Sequence, residues 1–127
     1  MTATLQARPL ERVLVCTRAE LPPGERTLLE HGRHRVAVFN VDSRLYAVRN
    51  RCPHHGGPLC HGWISGTRLP SDRHDYEWGM ADRVLTCPWH GWQYDLDSGQ
   101  ALFDPTVHVP VYRVTLEADQ IVVYLPA

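Results

Sequence analysis

Two short segments gather the side chains best suited to hold a metal: Cys52-Pro-His54-His-Gly-Gly-Pro-Leu-Cys60 and Cys87-Pro-Trp-His90-Gly-Trp92. Each sets a cysteine and a histidine with one or two residues between them on a stretch rich in proline and glycine. Thiolates and neutral imidazoles ligate both zinc and iron. Proline fixes φ, and glycine lets backbone approach where a side chain would block it, so both segments read as tight loops around an inorganic core. Backbone N–H groups in such loops can point at bridging sulfides and offset their negative charge. Cys52, His54, Cys87 and His90 are therefore the candidate ligands. Two cysteines and two histidines also suit zinc, which stays open as a second reading. Two features favour iron–sulfur. The spacing Cys-x-His leaves one residue between ligands, where paired zinc ligands are usually about two to four apart. The segments are also nearly symmetric, each opening Cys-Pro and closing His-Gly, as suits a cluster gripped from two sides.

The remaining histidines and cysteines read more plainly. The chain holds four cysteines and eight histidines. His55 and His61 lie near the first segment, but the spacing selects His54. His31, His34 and His108 are expected at the surface or in strands. Cys16 sits in an apolar run and is expected to pack in a core. No residue is expected to be catalytic.

The elements that position these loops are short strands. Arg12–Thr17, Arg35–Val41 and Leu45–Val48 are apolar and β-branched, with Asp42-Ser43-Arg44 as a hairpin turn between the last two. Trp92–Leu96 reads as a strand running into the turn Asp97-Ser-Gly-Gln100, and Val111–Leu116 with Ile121–Leu125 as a terminal hairpin. Thr17-Arg-Ala-Glu20 matches a capping box for a single helical turn, stopped by Pro22 and Pro23. No stretch carries a sustained 3.6-residue period. Residues 51–91 hold four of the ten prolines, six of the nine glycines and three of the four tryptophans, a composition of ordered loops rather than strands. Within them Gly66–Arg83 is polar and irregular and reads as part of a long inserted loop, about 62–84, carrying Trp63, His74, Tyr76 and Trp78. Solvated insertion and partner contact are both open for it. The 127 residues fit one domain, 1–127.

The two segments resemble the paired boxes of the Rieske family, whose pattern is Cys-x-His followed, after a variable stretch, by Cys-x-x-His. The flanks Leu45-Tyr-Ala-Val48 with Asn50-Arg51, and Gly91-Trp-Gln-Tyr-Asp-Leu96 with Ser98-Gly99, are similar too. The resemblance spans roughly residues 12–125 and is strong at the boxes alone. It implies an all-β fold: an antiparallel β-sandwich base with a small cluster-binding subdomain, about 50–95, formed by two loops. It further implies one [2Fe–2S] cluster, with Cys52 and Cys87 on the inner iron and His54 and His90 on the outer iron near the surface. Two ferric ions, two sulfides and two thiolates sum to a formally neutral oxidised centre. Such a centre accepts an electron more readily than one with four thiolates, and these centres span about −150 to +300 mV. High-potential members carry one further cysteine per box, joined as a disulfide. The corresponding residues here are Gly57 and Trp89, which places the chain with the low-potential ferredoxin branch. Cys60 reads as a free thiol packed under the loop. Trp89 and Trp92 are placed to shield the cluster, with ordinary packing the competing reading.

A net charge of −1, from 13 basic and 14 acidic residues, suggests no nucleic-acid partner. No apolar run approaches the roughly 20 residues of a membrane span, and the first ten residues lack a signal-peptide pattern, so a cytoplasmic location is expected. The resemblance implies an electron carrier, not an enzyme on its own, between an NAD(P)H-dependent flavin reductase and a terminal oxygenase. Only 37 residues follow His90, with His108 the one histidine among them, so a separate oxygenase domain is not expected. The alternative is an accessory or small subunit of a reductase such as nitrite reductase.

Overall fold

A computed structural model describes residues 10–53, 57–70, 76–89, 91–102, 104 and 106–126, with backbone only for 65–70 and 76–82. Among the described residues, nine strands are arranged as two antiparallel sheets. The larger joins β1 (Leu10–Thr17), β9 (Gln120–Pro126), β8 (Val111–Glu117), β4 (Arg44–Arg49), β3 (His34–Val41) and β2 (Arg26–His31), in that lateral order. The smaller joins β5 (Trp63–Pro70), β6 (Tyr76–Thr86) and β7 (Gln93–Asp95). The expected all-β class and antiparallel base hold.

β3 shows why. Its run Val36-Ala-Val-Phe-Asn40 is buried residue after residue. Side chains alternate across a strand, so Val36 and Val38 enter one core while Ala37 and Phe39 enter the other. The first core adds Val13, Leu21, Ala47, Ile121, Val123 and Leu125. β9 stands three places from β3 in the sheet, so residues of both share a core only if the sheet curls over itself. That is the sandwich base. The second core lies on the opposite face of β3 and β4 and holds Leu59, Leu85, Tyr94, Leu96, Cys52 and Cys87. This second core mounts the smaller sheet on the base.

The tight connections form as read. Asp42 and Ser43, at φ 52° and 72°, make the β3–β4 turn, and Ala118 and Asp119 make the β8–β9 turn. Arg18–Glu20 forms one 3-10 turn, and the Glu20 carboxylate accepts from both the backbone N–H and the hydroxyl of Thr17 at 2.9 and 3.0 Å. Two readings need correction. The long loop expected at about 62–84 is largely a hairpin: Trp63 pairs with Thr86 and Pro70 with Tyr76, with one irregularity between Ser65 and Thr67. The polar sequence hid it because backbone pairing, not an alternating apolar face, defines these strands. β2 was also not expected; it is an edge strand, half covered along its length, so its pattern is weak. No helix among the described residues is long and apolar enough to cross a membrane.

Candidate metal centre

Both cysteine loops close in the same way. β4 ends at Arg49, whose N–H donates to the Pro110 carbonyl at 2.9 Å, and the Asn50 N–H donates to the Arg35 carbonyl at 2.8 Å. With the chain pinned there, the Cys52 N–H reaches the Gly57 carbonyl at 2.8 Å. β6 ends at Thr86, and the Cys87 N–H reaches the Trp92 carbonyl at 2.8 Å. Each loop thus spans a cysteine and the carbonyl five residues on. Gly91 takes φ +73° in the second loop, a conformation that L side chains rarely adopt, and donates back to the Cys87 carbonyl at 3.1 Å.

The two thiols lie at the foot of these loops. Cys52 is 2% and Cys87 1% exposed, and neither is in a disulfide. The Tyr94 hydroxyl sits 3.1 Å from Cys52 Sγ. Burial, above all, lifts the Tyr94 phenol far above its usual range; the hydrogen bond to Cys52 and the charges of Cys52 and Cys87 lift it further. Tyr94 therefore keeps its proton, and its hydroxyl is in place to donate a hydrogen bond to a Cys52 thiolate. Gly57 faces Cys87: a methyl group built on it would stand 2.7 Å from Sγ and 3.1 Å from the Trp89 ring. Trp89 lies over Gly57 with its own surface 56% exposed. The two positions at which a disulfide would join the loops are thus neighbours, and glycine under tryptophan fills the place.

Residues outside the boxes hold the first loop in position. The Asn50 side-chain oxygen accepts from the Cys60 N–H at 2.6 Å. Arg26, on β2, stacks over Phe39 at 5.0 Å and donates to the carbonyls of Cys60 and Gly62. It thereby ties the 3-10 turn Leu59–His61, which follows the first loop, to the base. Sequence reasoning did not assign roles to Tyr94, Asn50 or Arg26. Tyr94 alone left a signal, as the inward residue of the alternating run Gln93-Tyr-Asp-Leu96.

Of the expected ligands, Cys52 and Cys87 are brought together at Gly57, with Tyr94 beside Cys52; His54 and His90 lie outside the described residues, as do His55 and His74. Cys60 is half-buried against the second core as a free thiol, as read. Cys16 is half-buried beside the first core, and burial raises its thiol pKa. His31 pairs with Glu11 at 3.0 Å, His34 bonds the Pro126 carbonyl, and His108 is exposed. Trp92 packs beside the second core, and His61 is exposed.

The sequence profile of the Rieske [2Fe-2S] domain matches residues 11–113. The chain belongs to the Rieske [2Fe-2S] domain family. Among Rieske relatives, the 3-phenylpropionate/cinnamic acid dioxygenase ferredoxin subunit of Escherichia coli (strain K12) is 27% identical over 118 residues, covering 92% of this chain and 96% of the relative. The ferredoxin of carbazole 1,9a-dioxygenase from Nocardioides aromaticivorans IC177 superposes with a TM-score of 0.70 at 24% identity, over 91% of this chain and 98% of that one. A Mycobacterium tuberculosis protein assigned as an NADH-dependent nitrite reductase small subunit superposes at 0.73, again at 24% identity, over 93% and 97%. The cofactor of a Rieske domain is one [2Fe–2S] cluster. The residues present fit it. Two buried thiols lie outside any disulfide, a phenol oxygen stands beside one, and a bare glycine leaves room beside the other.

Proposed function

We propose that Cys52, His54, Cys87 and His90 hold the cluster and that the chain is a one-electron carrier, not an enzyme on its own. The observation that carries this reading is the meeting of two identically closed loops at Gly57, which bonds the Cys52 N–H and faces Cys87 Sγ, with the phenol of Tyr94 beside Cys52. The cluster supplies reversible one-electron chemistry. The chain excludes water from both thiols and directs a hydrogen-bond donor at Cys52. The electron donor in this reading is an NAD(P)H-dependent flavin reductase and the acceptor a terminal oxygenase, supported by the ferredoxin relatives of dioxygenases. The chain acts in the cytoplasm, as one domain over 1–127 with the cluster end at about 50–95. The role of a reductase subunit uses the same cluster and differs in the acceptor.

Analysis of the purified protein tests the ligand set. It should be red-brown, hold about two irons and two acid-labile sulfides per chain, and after dithionite give a rhombic EPR signal with average g below the free-electron value. Colourless protein with one zinc would overturn the reading. His54→Cys, where the cluster survives, should lower the potential, because a thiolate adds negative charge. Reduction by NADH with a flavin reductase, followed by turnover of an aromatic-ring oxygenase, tests the carrier role. Delivery to a nitrite reductase alone would reassign the acceptor.

A further inference from the structure

The face beside the first loop carries a charge pattern that cluster binding does not require. Arg33 and Arg35, at the start of β3, meet Arg49 and Arg51, at the end of β4, around a cleft of about 670 Å³ whose lining includes His34 and Tyr112. All four arginines are exposed, and none makes an ion pair among the described residues. No carboxylate side chain lines the cleft. Glu30 stands directly across from Arg35 on β2 without pairing to it. The protein as a whole carries −1, so the cleft sets four of 13 basic residues apart and leaves nine elsewhere against 14 acidic residues. The cleft is therefore a local patch of one sign on a nearly neutral chain. The cleft wall also runs straight into the site: Arg51 precedes Cys52, the Asn50 N–H bonds the Arg35 carbonyl, and the Asn50 side chain holds Cys60.

We infer that this four-arginine cleft is the docking surface for a redox partner with an acidic surface, and that it steers the partner to the cluster end of the chain. The inference rests on the carrier reading above. Four exposed guanidiniums spread over two strand ends match carboxylates spread over a protein surface. They do not form an enclosed pocket for one small anion. Arginine suits the task, since its planar fork takes a carboxylate with two hydrogen bonds. A local field of one sign raises encounter rates and is screened by salt, with a Debye length of about 10 Å at 0.1 M.

Small oxidants of opposite charge test the sign of this field. The protein is reduced with dithionite, freed of excess reductant and mixed in a stopped-flow instrument with ferricyanide or with hexaamminecobalt(III). Each takes one electron, giving ferrocyanide or cobalt(II). At low ionic strength the ferricyanide rate should exceed its high-salt value by about threefold or more, while the cobalt rate should rise or stay level as salt is added. In Arg35→Gln/Arg49→Gln, with an unchanged cluster spectrum, the ferricyanide advantage should shrink and the cobalt rate at low salt should rise. Poly-L-glutamate should slow ferricyanide with wild type and not with the variant, and inorganic phosphate at equal ionic strength should act only by screening. Equal salt dependence for both oxidants would overturn the inference, as would phosphate saturating a single site. The wild-type salt series decides the matter even if the variant fails to fold. Failure of the carrier reading is separate: no reducible cluster, or no oxidation by either reagent in high salt.

Discussion

The sulfur of Cys52 and the hydroxyl of Tyr94 meet at 3.1 Å inside a core where Tyr94 is fully buried. A donor to a ligating thiolate withdraws electron density and favours the reduced state, so with Cys52 as a ligand, as proposed, this contact would raise the potential within the low-potential branch expected from Gly57 and Trp89. Tyr94→Phe should keep the fold, since it removes one oxygen. A difference of about 1 kcal/mol between the two redox states corresponds to a fall of about 40 mV. Redox titration followed by EPR checks it; an unchanged potential would show that the phenol serves packing alone. Gly57→Ala tests the other sulfur. Its methyl would stand 2.7 Å from Cys87 Sγ and 3.1 Å from the Trp89 ring, so iron content and visible absorbance per chain should drop. Cys52 and Cys87 were legible as candidate ligands because thiol chemistry and spacing are local. Tyr94 was not, because its importance arises only when β7 is laid beside β6.

At the scale of elements, strand pairing carries the site and also explains the misreadings. The hairpin of β5 and β6 reads as a loop in sequence because it carries glycine, proline and charge where an alternating pattern was sought. Backbone register, which side-chain pattern reports only indirectly, makes it a hairpin that delivers Cys87 immediately after Thr86. On the base, Glu117 ties β8 to its neighbours. Its carboxylate accepts from Thr115 at 2.6 Å and from the Tyr124 hydroxyl, and pairs with Arg12 of β1 at 2.8 Å. These hydrogen bonds, Thr115 first, hold its pKa down at about 2, against an ordinary 4.5. A carboxylate depressed in the folded state contributes stability that is fully present above the unfolded pKa and is lost as pH falls through the folded one. The melting temperature of Glu117→Gln should accordingly lie below wild type at pH 7, and the gap should close between about pH 4.5 and pH 2. A gap independent of pH would assign the loss to packing.

For the whole molecule, the two cores divide the labour. One is built by β1, β3, β4 and β9 and contains no candidate ligand; the other contains both buried cysteines. A ligand that binds only the folded state stabilises whatever must be ordered to bind it. Removal of iron by chelation under reducing conditions should therefore loosen the cluster end and spare the base. Limited proteolysis of the iron-free protein should cut first within about residues 50–95 and leave β1–β4 and β8–β9 protected. Cleavage spread evenly over the chain would mean that one cooperative unit includes the cluster. The separation of charge belongs to this scale too, since the basic cleft draws on two turns of the base that are distant in sequence.

Local chemistry was enough for the sequence to determine the ligand types, their Cys-x-His and Cys-x-x-His spacing, the tight turns at Asp42-Ser43 and Ala118-Asp119, and an all-β chain without helical period. These depend on a few adjacent residues and on backbone preferences that neighbours do not override. Tertiary structure decided what depends on register between distant strands: the contact of Cys52 with Tyr94, the approach of Gly57 to Cys87 and Trp89, the anchoring of the first loop by Arg26, and the meeting of Arg33 and Arg35 with Arg49 and Arg51. Each joins segments that touch only after β3, β4 and the smaller sheet have packed. The two matching boxes thus name the cofactor, and the packing of the two sheets sets its electronic surroundings and the surface through which a partner reaches it.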